Sequence, residues 1–226
     1  MNAPIRNRFA ALLLAFTAAS LSALPDQTRA EDIDPAVAEI QHRWEVIQYQ
    51  TPAKEKRASF EALAEQATTL ATTKPDRPDA LIWEGIVLSS LAGEKQGLDK
   101  LSALGLIKRA RERYENAIRI DAAALNGSAL NSLGVLYAKA PGWPLSFGDK
   151  VKAEENFQAA LQRNPAGIDP NYFYGEFLLD QGKAALAIEH LERALKAPPR
   201  PGRQIADEGR RKEVMALLEK ARAKIK

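Results

Sequence analysis

Apolar residues recur every three or four positions along most of the chain, and clusters of proline and glycine interrupt them. Leu81, Trp83, Val87 and Leu88, for example, follow the spacing of one helical face. Alanine and leucine are abundant and β-branched residues are few, which favours helices over strands. The predicted helices span residues 35–49, 53–72, 79–92, 98–120, 126–139, 149–164, 170–182, 183–196 and 204–224. The chain is therefore predicted to be all-α.

In three of the predicted helices, a glycine is followed further along the chain by a triplet of residues with constant internal spacing. The glycines are Gly85, Gly134 and Gly175. The triplets, each with small, bulky and small side chains in that order, are Ala110, Tyr114 and Ala117; Ala153, Phe157 and Ala160; and Ala187, Leu191 and Ala194. Self-similarity of this kind indicates a repeat protein built from helical hairpins.

Close packing of two helices explains these residue types. A glycine or alanine lets two helix backbones approach each other, and a bulky side chain on the facing helix fills the resulting groove. We therefore expect Gly134 to lie against Ala153 and Phe157.

The second and third repeats resemble the tetratricopeptide repeat (TPR), a helical hairpin of 34 residues. The step of twelve residues from Gly175 to Ala187 equals the spacing of that family. In both repeats a proline follows the last alanine of the triplet by five residues, at Pro165 and Pro199. The first repeat is more divergent, since Ala122 stands where the proline is expected.

The resemblance implies an all-α, right-handed, TPR-like helical solenoid. Residues 31–78 would form a degenerate N-terminal capping hairpin, and residues 79–199 would form three TPR-like repeats. Residues 200–226 would add a C-terminal capping helix, because the end of such a stack needs a polar outer face.

Two insertions interrupt the regular spacing. Repeat one carries 13 extra residues and repeat two carries 7, in both cases between the first and second helix. Those turns lie on one edge of such a stack, so we expect the insertions to build a lobe on one rim. Trp143 and Phe147 belong to this lobe. Two interpretations stay open for them, as plugs packed on the scaffold or as exposed anchors for a partner.

The resemblance also implies an inner groove that is lined by residues of the first helix of each repeat. The positions that match are Ile82, Ile86, Ser128, Asn131, Val135, Lys139, Asp169, Tyr172, Glu176 and Asp180. Such a groove is apolar at one end and acidic at the other, which suits an extended or helical peptide with basic and apolar residues. The alternative is that these residues are ordinary hydrated surface. We predict partner binding by Asn131, Lys139, Trp143, Phe147, Tyr172 and Glu176.

The first thirty residues have the pattern of a secretory signal peptide. Arg6 and Arg8 precede an uncharged apolar run over residues 9–24, and Thr28 and Ala30 are small residues at the positions that a signal peptidase reads. The run is short for a spanning helix, so cleavage is favoured over retention as an anchor. The chain contains no cysteine, which excludes disulfides and a lipid anchor. The expected location is the periplasm, or outside the cell if the source is not Gram-negative.

Charge does not favour nucleic-acid binding. The whole chain has a net charge of +3, and residues 31–226 have a net charge of +1. Residues 193–226, however, hold eleven basic against four acidic residues. The basic residues of this C-terminal region either form a solvated helix face or form a basic patch that contacts an acidic partner or an anionic membrane surface. Nothing in the sequence predicts the oligomeric state.

Candidate chemistry is sparse. His42 and His190 are the only histidines, and neither has a second ligand at metal-binding spacing. No serine lies in a nucleophile elbow, and no phosphate-binding loop is present. We therefore predict no catalytic residues, no metal and no cofactor.

The leading prediction is an exported, non-catalytic scaffold that binds a protein or peptide segment in its groove or at its rim lobe. The alternative is a periplasmic small-molecule-binding or transporter-accessory protein of TPR-like fold. In that case the aromatic residues Tyr137, Tyr172, Phe173 and Phe177 would line a pocket.

Overall fold

The computed structural model of the protein describes residues 33–95 and 97–225. The predicted signal peptide lies outside these residues. The α-helices of the described part are α1 (Pro35–Tyr49), α2 (Ala53–Thr73), α3 (Pro78–Gly93), α4 (Lys100–Asp121), α5 (Ala124–Lys139), α6 (Lys150–Arg163), α7 (Ile168–Asp180), α8 (Ala184–Leu195) and α9 (Gln204–Ala223). A short 3₁₀ turn, Gly97–Asp99, precedes α4. No strand occurs among residues 33–95 and 97–225, so the predicted all-α solenoid is confirmed.

The helices form two layers. Each even-numbered helix lies against the odd-numbered helices that precede and follow it in the chain. The odd-numbered helices contact one another in the order α1, α3, α5, α7 and α9, and α9 contacts α1 again. The inner layer is therefore a closed ring of five helices. Almost every residue from Asp79 to Leu88 on α3 is buried, as this inner position requires.

The repeated glycines lie where the paired helices approach most closely. A Cβ atom added at Gly134 would lie 2.9 Å from the ring of Phe157, and one at Gly85 would lie 2.4 Å from the ring of Tyr114. Gly175 faces Leu191 in the same way. The expected packing of glycine against the bulky triplet residue is confirmed. Because no side chain larger than hydrogen fits at Gly85 without displacing Tyr114, this spacing fixes the geometry of the hairpin.

The two insertions have different structures. We expected both to contribute to one lobe, and they do not. The extra residues of repeat one mainly lengthen its helices, since α3 and α4 have 16 and 22 residues against 13 and 12 in α7 and α8. The extra residues of repeat two form the loop 140–149. The lobe is therefore built by repeat two alone, and the loop leans on the long helix α4 through Phe147 and Arg111.

The first turn of α5, directly after α4, is the irregular junction of the stack. The backbone at Leu125, Asn126 and Gly127 is left-handed, with φ of 48°, 56° and 76°. Only glycine adopts this region without strain. This turn occurs after repeat one, where Ala122 replaces the proline of the other repeats.

Candidate interaction surfaces

The C-terminal helix covers part of the inner surface that the resemblance assigns to a groove. Helix α9 packs on α8, as a terminal cap would, and it also contacts α7 and α1. At the contact with α1, a Cβ atom on Gly209 would lie 2.2 Å from the ring of Tyr49. The Tyr49 hydroxyl also donates to Glu213 at 3.5 Å. The open groove that the sequence predicted is therefore closed at α9.

A cluster of charged side chains holds α9 against α7. Arg210 Nε lies 2.8 Å from Asp169 Oδ1, and Arg200 Nη1 lies 2.6 Å from Asp169 Oδ2. Arg200 also pairs with Asp207 at 2.7 Å. Burial by itself would raise the pKa of Asp169, but Arg200 and Arg210 outweigh it and hold that pKa well below its usual range. Asp169 is thus a carboxylate that two arginines neutralise.

Arg210 also covers the aromatic residues of α7. Its guanidinium lies 4.5 Å from the ring centres of both Tyr172 and Phe173, a cation–π geometry. Burial raises the pKa of Tyr172 to about 12. The face of Tyr172 that we predicted to meet a partner is occupied by a side chain of the same protein.

A second cluster joins α9 to α1. Glu45 on α1 is almost fully buried, at 1% exposure. It accepts hydrogen bonds from Arg203 Nε at 3.3 Å and from the Ala206 amide at 3.2 Å. The Arg203 guanidinium lies 5.2 Å from the ring centre of Trp83 on α3. Burial lowers the pKa of Arg203. Glu45 therefore neutralises the charge of Arg203 and accepts a hydrogen bond from a backbone amide in the first turn of α9, where amides have no partner within the helix.

These clusters predict an acid-sensitive ring closure. The pKa of Asp169 is lower in the folded protein than in the unfolded chain, so its contribution to stability is present at neutral pH and is lost as the pH falls below about 4. We expect the free energy of unfolding to fall between pH 7 and pH 3 by about 1 kcal/mol more in the wild type than in Asp169→Asn. Urea unfolding at both pH values measures this difference. Asp76→Asn, at an exposed site without a described ion pair, should retain the wild-type pH dependence; an equal dependence in Asp169→Asn would contradict the assignment.

The loop 140–149, which we call the rim loop, has a tightly hydrogen-bonded backbone. The Gly148 amide donates to Pro141 O at 2.8 Å, and the Asp149 amide donates to Tyr137 O at 3.0 Å. A Cβ atom on Gly148 would lie 2.0 Å from Ala140 O, so the two ends of the loop are in direct contact. The rim loop is thus a folded turn with a defined shape.

The rim loop directs its aromatic residues to opposite environments. Phe147 packs edge-on against Tyr137, with ring centres 5.7 Å apart, and lies 4.6 Å below the guanidinium of Arg111. Trp143 is 90% exposed, and Leu145 is 70% exposed. Phe147 therefore has the contacts of a structural plug, whereas Trp143 has the exposure expected of an anchor for a partner.

Basic side chains flank the exposed tip of the rim loop. Lys150 and Lys152 begin α6, and no ion pair with an acidic group is described for either of them. Lys152 Nζ lies 5.5 Å from the ring centre of Tyr137. Asp149 caps this helix by accepting hydrogen bonds from the Val151 and Lys152 amides. Val151, at 68% exposure, extends the apolar surface onto α6.

The other residues predicted to bind a partner, Lys139, Glu176 and Asn131, lie in two places. Lys139 pairs with Glu176 at 2.8 Å, which joins the end of α5 to α7. Asn131 is 5% exposed, and its Oδ1 has no hydrogen-bond partner in the described structure. Ile82 is fully buried and does not line a groove. The six predicted residues therefore form no single site, although Lys139 directly precedes the rim loop.

The polar residues that suggest chemistry have structural contacts. His42 Nδ1 lies 3.2 Å from Glu45 Oε1, and His190 Nδ1 lies 3.0 Å from Asn171 Oδ1. Burial, followed by Arg193, lowers the pKa of His190. Within residues 33–95 and 97–225, no group of histidine and acidic residues has the arrangement of a metal site.

Glu84 is a further buried carboxylate, and it joins the two helices of repeat one. It is fully buried on α3 and pairs with Arg109 and Arg113 of α4. Thr68 on α2 donates to it at 3.2 Å. Its charge is therefore neutralised within the scaffold.

Two clefts open on the outer surface of the described structure. One lies between α6 and α7, next to Glu154, Gln158 and Phe177. The other lies beside the start of α8 and the end of the described chain, next to Leu186 and Ile225. Of the aromatic residues Tyr137, Tyr172, Phe173 and Phe177 that a small-molecule pocket was expected to use, Phe177 lines the first cleft and the other three line neither.

The basic excess of the C-terminal region is partly used inside the fold. Arg203 and Arg210 pair with buried acids, and Arg211 donates to Leu195 O and Ala197 O at 2.5 and 2.7 Å. Contact of the remaining basic residues with an anionic surface stays a prediction. Over residues 33–95 and 97–225, no helix has the length and apolar character needed to cross a membrane.

Sequence reasoning missed two features of these surfaces. The first is the exposure of Leu145 and Val151 beside Trp143. The sequence shows that this segment contains apolar residues, but not which of them are exposed. The second is the stripe of residues that α9 directs at α1 and α7, namely Arg203, Ala206, Gly209, Arg210 and Glu213. A glycine and arginines at helical spacing within a charged helix were the signal that could have revealed it.

The fold and these surfaces define the class of protein, a helical-repeat protein of stacked hairpins with a closed inner ring. Among solved structures, the chain is similar to the thermophilic TPR protein TTC0263 of Thermus thermophilus, with 15% identity, a TM-score of 0.53, and coverage of 80% of this chain and 99% of that one. It also matches the structure of MamA, with 19% identity, a TM-score of 0.43, and coverage of 78% of this chain and 95% of that one. No family model matches the chain, and no curated protein does.

The protein is therefore TPR-like in fold, as the spacing of its second and third repeats predicted. At 15% identity, this likeness shows the fold alone.

Proposed function

We propose that the protein is an exported, non-catalytic scaffold that binds a protein partner through the rim loop. The observation that carries the proposal is the 90% exposure of Trp143 on a loop with a fixed backbone. A large aromatic side chain held in water on a rigid support is typical of a binding anchor.

The energetics favour contact at this loop. Burying an exposed tryptophan and a leucine in a partner removes a large apolar area from water, at about 25 cal/mol for each Å². Because the backbone hydrogen bonds at Gly148 and Asp149 already fix the loop, little conformational entropy is lost on binding. Trp143 and Leu145 are therefore the residues expected to supply most of the binding free energy.

The covered inner surface supports the same choice. The groove that TPR-like proteins offer to a peptide is here in contact with α9, and Tyr172 and Asp169 are engaged by Arg210. The rim loop has no such cover in the described structure. Export to the periplasm is proposed from the signal-peptide pattern of residues 1–30.

The test places a photo-crosslinking amino acid at position 151, an exposed site next to the rim loop, so that Trp143 and Leu145 stay in place, and irradiates intact cells. We expect one or a few defined protein adducts, and we expect Leu145→Ser in the same chain to reduce them at least fivefold without changing the melting temperature. Leu101→Ser is the matched control, because Leu101 is 78% exposed on α4 outside the rim loop. The proposal is wrong if position 151 gives no adduct, or if Leu145→Ser and Leu101→Ser behave alike.

A further inference from the structure

The inner faces of α1 and α7 together present an acidic and aromatic surface, which we call the α1–α7 face. It consists of Glu45 and Tyr49 from α1 and Asp169, Tyr172 and Phe173 from α7. Both acids lie next to aromatic rings, so the surface suits a cation that is attached to an apolar stem. It is the type of surface that the sequence predicted for a basic and apolar peptide.

Helix α9 supplies a ligand with that chemistry. Arg203 pairs with Glu45, and Arg210 pairs with Asp169 while covering Tyr172 and Phe173.

Between these two arginines, small residues let the helix approach. Ala206 is buried and donates its amide to Glu45, and Gly209 lies under the ring of Tyr49. These positions recur at the spacing of one helical face, as in other helices that bind in a groove.

We propose that the α1–α7 face is a helix-binding site which α9 fills in cis, and that a partner helix with the same stripe competes for it. The stripe consists of an arginine, small residues three and six positions later, and a second arginine seven positions after the first. The inference concerns a different surface from the rim loop, and it is independent of the function proposed for that loop.

The seam between α9 and this face is chemically suited to exchange. It is held mainly by ion pairs and cation–π contacts, and buried ion pairs contribute little net free energy once desolvation is counted. A partner helix that makes the same pairs replaces them one for one. The short segment 196–203 keeps α9 at a high effective concentration, on the order of millimolar. A free helix of equal affinity is therefore expected to bind only where α9 docking is weakened.

The experiment weakens α9 without altering the α1–α7 face. In Gly209→Leu the new side chain meets the ring of Tyr49, which already lies 2.2 Å from the position of a Cβ atom. The probe is a fluorescein-labelled peptide of residues 200–226, and the readout is fluorescence anisotropy. We expect this peptide to bind the Gly209→Leu protein at least tenfold more tightly than the wild type. Glu208→Leu, the same change at an exposed neighbouring position of α9, should bind as the wild type does.

The peptide itself provides the specificity test. A peptide with Arg210→Ala should bind the Gly209→Leu protein at least tenfold more weakly, whereas one with Lys212→Ala, at an exposed position, should bind unchanged. Equal binding of the Arg210→Ala and Lys212→Ala peptides would overturn the proposal, since α8 contacts alone would then explain docking. Absence of binding to a Gly209→Leu protein that melts cooperatively would also overturn it.

A second experiment tests the proposal without the Gly209→Leu substitution, in case that variant misfolds. A protease site inserted in segment 197–202 and cut after folding leaves α9 bound without a covalent link. The labelled peptide should then exchange into the cut wild-type protein, and an excess of unlabelled peptide should displace it. A cut protein that remains helical and never exchanges its α9 would contradict the proposal, as would exchange that is insensitive to Arg210→Ala.

Discussion

Arg210→Ala is expected to lower the free energy of unfolding by about 3–5 kcal/mol, the largest effect of any single change at the ring closure. The substitution leaves Asp169 with only Arg200 as its cation and removes the cover from the Tyr172 and Phe173 rings. The cost combines the loss of one of the two cations that neutralise Asp169, the loss of the pair with Glu213 and the loss of both cation–π contacts. Urea unfolding at pH 7, followed by circular dichroism, measures the change.

Two controls separate charge from position. Arg222→Ala removes an arginine from the same helix. Because the pair of Arg222 with Glu192 is exposed, we expect the free energy of unfolding to change by less than about 0.5 kcal/mol. Arg210→Met keeps most of the packing over the aromatic rings and should be less damaging than Arg210→Ala. If Arg210→Ala and Arg222→Ala cost the same, α9 does not depend on the Asp169 cluster.

Gly85→Ala is expected to destabilise the protein by about 2–3 kcal/mol, although alanine is normally the better helix former. The added methyl group would lie 2.4 Å from Tyr114 Cε1, and Tyr114 is buried among the core residues. The ring has to move, and the α3–α4 pair has to separate with it. Thermal and urea unfolding of the variant measure the loss.

The sequence supplies a matched control for this substitution. Gly105→Ala lies within α4, and nothing lies within 4 Å of its added Cβ atom. There the same change should stabilise the protein by about 0.5–1 kcal/mol through helix propensity. Gly134→Ala, with its Cβ atom 2.9 Å from the Phe157 ring, should be destabilising but less so than Gly85→Ala. A stabilising Gly85→Ala would contradict the close packing of α3 on α4.

The protein has two candidate interaction surfaces, of which the rim loop is exposed and the α1–α7 face is covered. Trp143 and Leu145 stand in solvent on the rim loop, whereas Tyr172 and Asp169 lie under α9. Crosslinking at the rim loop and peptide exchange at α9 test them separately, so failure of one proposal leaves the other unaffected.

Local pattern alone determined the helical hairpins of this protein. Gly85, Gly134 and Gly175 could be matched to Tyr114, Phe157 and Leu191 because the members of each pair belong to consecutive helices and follow helical spacing. Periodicity records which face of a helix is apolar, and short connections force neighbouring helices to pack.

Only the tertiary structure decided how the two ends of the chain meet. Glu45 and Arg203 are separated by 158 positions, and their contact depends on the curvature that accumulates over all the hairpins between them. Likewise, Trp143 and Phe147 are both large aromatic residues of one loop, and the positions of Tyr137 on α5 and Arg111 on α4 determine that Phe147 packs while Trp143 remains in water. Sequence patterns record local faces, whereas the closure of the ring and the exposure of a loop depend on the summed geometry of distant elements.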